Sequence, residues 1–147
     1  MKIAFVSDFF LADGVAGGAE LVNDCLVQHL RDRDYTVETY RSNEFTDVSR
    51  HDFFIISNFI NLSEETKEAL LKKSYMIYEH DHKYLKNRNP SVFPNFKAPS
   101  HMIINEKFYR CAKAVFCQSE IHAEVVRKNL SIRNVINAGC SLWHKEH

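Results

Sequence analysis

Apolar residues along this chain alternate between short continuous runs and longer stretches where they recur every three or four positions. Residues 2–7, KIAFVS, form the first run and read as a β-strand. A glycine-bearing turn follows, then AELVNDCLVQHLRDR (19–33), whose Val22, Cys25, Leu26, His29 and Leu30 fall at helical spacing. YTVETY (35–40) and DFFIIS (52–57) read as the second and third strands, the latter apolar enough to be central and covered on both faces. Ser63 is placed to cap a helix over EETKEALLKK. The alternation continues with strand YMIYE (75–79), helix IINEKFYRCAK (103–113), strand AVFC (114–117), helix EIHAEVVRKN (120–129) behind an N-cap at Ser119, and strand NVIN (134–137). Strands alternating with helices predict an α/β domain of three layers, a parallel sheet with helices on both faces.

The Val22, Leu26 and Leu30 stripe and the Ile121, Val125 and Val126 stripe are expected to face the core. One segment breaks the rhythm. From about His80 to Ser100 the chain is non-periodic and holds all three prolines, Pro90, Pro94 and Pro99. A loop this long inside a compact domain is commonly functional or disordered. At 147 residues the chain is long enough for one domain with one sizeable core.

Charge removes some classes of partner. Nineteen basic residues balance nineteen acidic ones, so no global field draws the chain to nucleic acid or to a membrane surface. No apolar run approaches the ~18 residues of a membrane span, and the N-terminus is interrupted by Asp8 too soon to be a signal peptide. The four cysteines lack C-x-x-C spacing, and Cys25 and Cys117 sit within apolar segments as small hydrophobes. A reduced, cytoplasmic protein is the expectation.

Candidate chemistry begins at DGVAGGAELV (13–22), which holds three of the four glycines within five residues. Ligands of open parallel sheets bind beyond the carboxyl ends of the strands, where the strand order reverses. If winding begins at the first strand, that crevice lies between the first and fourth strands, and the loops DGVAGGAE and EHDHKYLKNRN face each other. Glycines there let a ligand approach backbone N–H groups at a helix start, which suits a phosphate or sugar oxygen; a plain strand-to-helix turn is the alternative. Glu20 in the first helical turn would compete with a phosphate, and instead caps the helix or binds a hydroxyl. The turn lacks the Gly-Lys-Ser/Thr ending of a P-loop and the G-x-G-x-x-G of a dinucleotide site. The second strand ends in Tyr40, Arg41 and Ser42 with no acidic residue, which leaves only an NADP reading open through Arg41.

Beyond these patterns, MKIAFVSDFF…GVAGGAELVNDCLVQHLRDRDYTVETY resembles the opening of GT-B glycosyltransferases, especially retaining family four, with its Gly-Gly-x-Glu turn. RHDFFIISN, YEHDH, CAKAVFCQSEIHAEVV and VINAGCSLW continue the likeness to the end of a Rossmann-like N-terminal domain. Asp34-Tyr35 replaces the usual Gly-His before the second strand, and Ser141 stands where the closing motif carries aspartate.

The resemblance implies the acceptor-side half of a retaining glycosyltransferase, inactive without a C-terminal donor-binding domain in cis. It implies that backbone N–H groups of Gly17 and Gly18, with Glu20, approach the donor, and that His80 hydrogen-bonds the transferred sugar. Asp81, His82 and Ser119 adjoin that site. Implied partners are a nucleotide-sugar donor and a sugar or lipid-linked acceptor, with no nucleic acid and no cofactor. The leaving phosphate takes the acceptor proton, so no strong protein base is needed. A stand-alone, non-catalytic nucleotide- or glycan-binding module is the alternative.

His80-Asp81-His82 also has His-x-His spacing for two metal ligands, but the sequence offers no third, and no metal is expected. Lys83, Lys86, Arg88 and Lys97, interleaved with Tyr84, Phe93 and Phe96, read as an acceptor-facing surface. A solvated loop is the alternative.

Overall fold

The structure is a computed structural model, and it describes residues 1–10 and 17–137. The element order is β1 (Lys2–Ser7), α1 (Gly18–Asp32), β2 (Thr36–Arg41), β3 (Phe53–Ile56), α2 (Glu64–Leu70), β4 (Tyr75–Tyr78), α3 (Glu106–Cys111), β5 (Ala114–Cys117), α4 (Glu120–Leu130) and β6 (Val135–Asn137). All six strands are parallel, in the order β2-β1-β3-β4-β5-β6. The domain is therefore the expected three-layer, Rossmann-like α/β fold.

Right-handed crossovers decide which helix covers which face. The chain moves one way across the sheet from β1 to β2 and the other way from there on. Accordingly α1 packs on one face, where Val27 joins Ile3, Phe5, Val37 and Ile55. The other three helices pack on the opposite face, where Leu70, Phe108, Val126 and Leu130 meet Ala4, Val6, Ile56, Ile77 and Val115. Alternation along β1 makes this possible, because Ile3 and Phe5 point to one face and Ala4 and Val6 to the other.

This order moves the expected crevice. Strand order reverses between β1 and β3, not between β1 and β4, because β3 is inserted beside β1. The second stripe is also corrected. Val126 is fully buried, whereas Ile121, in the first turn of α4, is 76% exposed.

The proline-rich segment is an ordered layer. Single 3-10 turns occupy Pro90–Val92, Pro94–Phe96 and Ser100–Met102. A bridge between Leu85 and Ile103, with the Lys86 N–H donating to Met102 and the Ile104 N–H to Tyr84, closes the segment on itself. Tyr84 and Leu85 are fully buried and anchor it to the core. Among the described residues no helix is long and apolar enough to cross a membrane. Cys25, Cys111 and Cys117 are free.

Candidate functional site

The carboxyl ends of β1, β3, β4 and β5 carry polar side chains, small at β1 and β3, that would be costly to bury without partners. Ser7 and Ser57 are fully buried, and Asn23 of α1 is 1% exposed between them. The Asn23 Nδ2 donates to Ser7 Oγ at 3.4 Å, and Ser57 Oγ donates to Asn23 Oδ1 at 2.9 Å. The same Oδ1 lies 3.0 Å from His80 Nε2. On the other side of the ring, Gln118 Nε2 lies 3.2 Å from His80 Nδ1. An amide oxygen can only accept and an amide nitrogen can only donate, so this arrangement places the His80 proton on Nε2 and leaves Nδ1 as acceptor. The imidazole is thereby fixed by α1 on one side and by the residue after β5 on the other.

Burial, reinforced by the positive charge of Lys83 and by His122, pushes the His80 pKa down to about 3. The ring is neutral at physiological pH. Tyr78 lies against it, with ring centroids 4.9 Å apart.

Asp81, His82, Ser119 and His122 complete the surroundings. Ser119 caps α4 as expected, its Oγ accepting from the His122 N–H at 3.1 Å. His122 Nε2 donates to the Asp81 carbonyl at 3.3 Å, and the His82 and His122 rings lie 4.6 Å apart. His82 Nδ1 meets the Tyr84 hydroxyl at 2.7 Å. Burial first, then the neighbouring imidazole, holds His82 below the usual histidine range; burial lowers His122 as well. A cleft of about 410 Å³ opens here, lined by His80, Asp81, His82 and Ser119 together with His122 and the exposed Ile121. Four of the seven residues singled out in the sequence thus share one wall.

The other three, Gly17, Gly18 and Glu20, sit at the start of α1. Gly17 is its N-cap, with φ −80°, and Gly18 has open space where a side chain would be. Both are exposed, while Glu20 is 8% exposed. The Glu20 carboxylate folds back over Gly17, and a Cβ there would lie 2.6 Å from its Oε2. Glu20 therefore sits where a capping-box glutamate does, with negative charge at the very helix end where a phosphate was expected. These three residues are not among the described lining of the His80 cleft; α1 reaches the His80 ring, behind that lining, through the buried Asn23. The turn residues 11–16, Gly14 among them, lie outside the described residues.

Two further features were not anticipated. Lys83, expected on an exposed basic surface, is 2% exposed and pairs with the fully buried Glu79. The Tyr109 hydroxyl donates to the other oxygen of that carboxylate, and Lys83 Nζ lies 5.2 Å from the centre of the Phe59 ring. Tyr84, from the same predicted surface, is also buried. Asp8, after β1, spends its carboxylate on structure: it accepts from the Ile60 and Asn61 N–H groups at 3.0 Å each and from Ser42 Oγ. It thereby holds the loops after β2 and β3 to the end of β1. Among the described residues no group of three or more His, Cys, Asp or Glu side chains is arranged to hold a metal ion.

No protein-family model matches the chain, and no curated protein matches it either. Among solved structures it is similar to an alpha-glucosyltransferase in complex with UDP and a 13-mer DNA containing a HMU base, with a TM-score of 0.59 at 14% identity. That likeness covers 93% of this chain and 41% of the glucosyltransferase. A flavodoxin of Streptococcus pneumonia TIGR4 aligns with 53% of this chain and 59% of its own at 22% identity, with a TM-score of 0.35. At these identities the glucosyltransferase likeness establishes the fold: a parallel, doubly wound sheet of the kind found in a sugar-transferring enzyme.

Proposed function

We propose that this chain is the acceptor-side domain of a retaining glycosyltransferase, which transfers a sugar from a nucleotide-sugar donor. The observation that carries this reading is the cleft at the strand ends, where His80, Asp81, His82 and Ser119 converge on a glucosyltransferase-like fold. In this reading the donor sugar lies against that wall. The donor nucleotide is held mainly by a second Rossmann-like domain, and the N–H groups of Gly17 and Gly18 approach the donor from the start of α1.

The state of His80 fits sugar positioning better than proton transfer. A neutral ring with one fixed donor and one fixed acceptor can exchange Gln118 for a sugar hydroxyl without a change of charge. A base with a pKa near 3 has little driving force to take a hydroxyl proton at neutral pH. That matches a transfer in which the departing phosphate receives it. Glu20 is assigned to a hydroxyl or to the helix cap, since its charge disfavours a phosphate beside it.

Saturation-transfer NMR with UDP-glucose and other nucleotide-sugars tests the reading. Contact signals should arise from the sugar protons and fall in His80→Ala and in Gly17→Val. Absence of any nucleotide-sugar contact in the wild-type chain, or contacts unchanged in both variants, would sink the assignment. Turnover assays offer hexose, lipid-linked and HMU-containing DNA acceptors in parallel, because the similar glucosyltransferase is described in complex with such a DNA. The balanced charge of this chain favours the first two. The isolated chain should bind a donor weakly and show no multiple turnover. Binding without turnover, even when the chain is joined to a donor-binding domain, would favour a non-catalytic glycan- or nucleotide-binding module.

A further inference from the structure

A second cavity, of about 600 Å³, lies on the other side of the segment that follows His82, and Arg88 borders both. Its volume is within the ~300–1,000 Å³ of small-molecule sites. Four cationic side chains line it, Lys67, Lys83, Lys86 and Arg88, against one acid, Glu64.

The protein brings these like charges together at some expense. Lys67 and Lys83 are 9% and 2% exposed, and their ammonium groups lie over the same Phe59 ring, at 5.7 and 5.2 Å from its centre. Lys83 is compensated from within by Glu79. Among the described residues Lys67 is compensated by the freely exposed carboxylate of Glu64 at 2.8 Å, a partner that can swing aside, and by the neutral Asn105 amide oxygen at 3.0 Å. Arg88 has Asp81 at 3.6 Å, and the Lys86 ammonium has no partner among the described residues. The cavity thus keeps unspent donors and a surplus of positive charge.

The rest of the lining is apolar. Ile60 and Ile104 are 53% and 37% exposed at its mouth, with Phe59 and Leu85 behind. Large aliphatic side chains left open beside clustered cations fit a ligand with an anionic head and an apolar or ring-bearing body.

We infer that this cavity binds a phosphate monoester, its phosphoryl group held by Lys67, Lys86 and Arg88 and its carbon body laid on Phe59, Ile60 and Ile104. Arg88 borders the His80 cleft as well and pairs with Asp81 there, but the inference does not require sugar transfer, since its phosphoryl contacts from Lys67 and Lys86 lie outside that cleft.

Amide-detected NMR titration of the 147-residue chain tests it, with phenyl phosphate, inorganic phosphate and benzyl alcohol as probes. Phenyl phosphate should shift the amides of Ile60, Lys67, Lys86 and Ile104, bind more tightly than inorganic phosphate, and weaken with added salt. Lys86→Glu, an exposed change that spares the core, should weaken it at least tenfold with an otherwise unaltered spectrum. Phosphatidic acid vesicles, compared with phosphatidylcholine, identify the source of the ester. Pelleting that needs Lys86 assigns the phosphate to a lipid, and soluble binding without pelleting assigns it to a free ester. Equal affinity for benzyl alcohol, no shift with either phosphate, or unchanged binding in Lys86→Glu would overturn the inference.

Discussion

His80 Nε2 lies 3.0 Å from Asn23 Oδ1, so a side chain beyond the end of β4 is fastened to the first helix across the intervening strand β3. The contact joins α1 to the end of β4 although β1 and β4 are not neighbours in the sheet. It also fixes the tautomer of the ring, and that has a spectroscopic consequence. Nitrogen-detected NMR should show His80 as the neutral Nε2–H form at pH 7, and still neutral at pH 5. A protonated ring at pH 5 would contradict the arrangement.

The same burial makes stability depend on pH, with a definite sign. The folded-state pKa of His80 is about 3, below the ordinary histidine value of about 6.5. Between those values the unfolded chain binds a proton that the folded chain refuses, so acid favours unfolding. The contribution is complete above about pH 6.5 and is lost as the pH falls toward 3, at up to about 1.4 kcal/mol per pH unit. His82 and His122, also lowered, add to it with the same sign. Urea midpoints should drop between pH 7 and 5, and less so in His80→Gln.

Asn23→Asp tests the electrostatics of the contact directly. A carboxylate in place of the amide oxygen would favour the imidazolium, so the His80 pKa should rise by one to three units, the range typical of an opposite charge within ~4–6 Å. Titration of the ring by NMR reads this out. Asn23→Ala instead strands Ser57 and His80 without their acceptor and should cost about 1–3 kcal/mol.

Much of this molecule can be read from its residues, and the failures have local causes. Strand and helix positions follow from periodicity, as the agreement of residues 2–7 and 114–117 with β1 and β5 shows. The helix predicted over 103–113 shrinks to Glu106–Cys111, because Ile103 is taken up in the bridge to Leu85 and Asn105 turns left-handed at φ 58°. Strand order was not legible, since no local pattern states whether β3 lies inside or outside β1. Lys83 was misjudged because nothing in the loop indicates that its partner is Glu79, four residues back at the end of the strand. Asn23 and Gln118 were missed altogether. A signal existed for Asn23: it is a polar residue beside Val22 within the buried stripe of α1, and a buried amide needs partners.

The buried Glu79–Lys83 pair predicts an asymmetry between single and double substitutions. Lys83→Met leaves a carboxylate with no cation in a fully buried position and should cost about 3–5 kcal/mol. Glu79→Gln with Lys83→Met removes both charges and keeps a group that can accept from Tyr109, so most of that loss should be recovered. Chemical denaturation of the three proteins gives the comparison. A double variant no more stable than Lys83→Met would show that the pair's charges are not what is at stake.

Gly17 separates steric need from ligand need. Its φ of −80° suits any residue, so glycine is not required by backbone conformation. The obstacle to a side chain is the Glu20 carboxylate, 2.6 Å from the Cβ position, and that is the far end of a flexible chain that can swing away. Gly17→Ala should therefore cost no more than about 1 kcal/mol, chiefly the displacement of the Glu20 side chain, and Gly17→Ala with Glu20→Ala should show no additional steric penalty. If both variants fold normally yet lose contact with a nucleotide-sugar, the bare backbone at this helix start serves the ligand. Unchanged ligand contact in Gly17→Ala would return these glycines to the role of a simple turn.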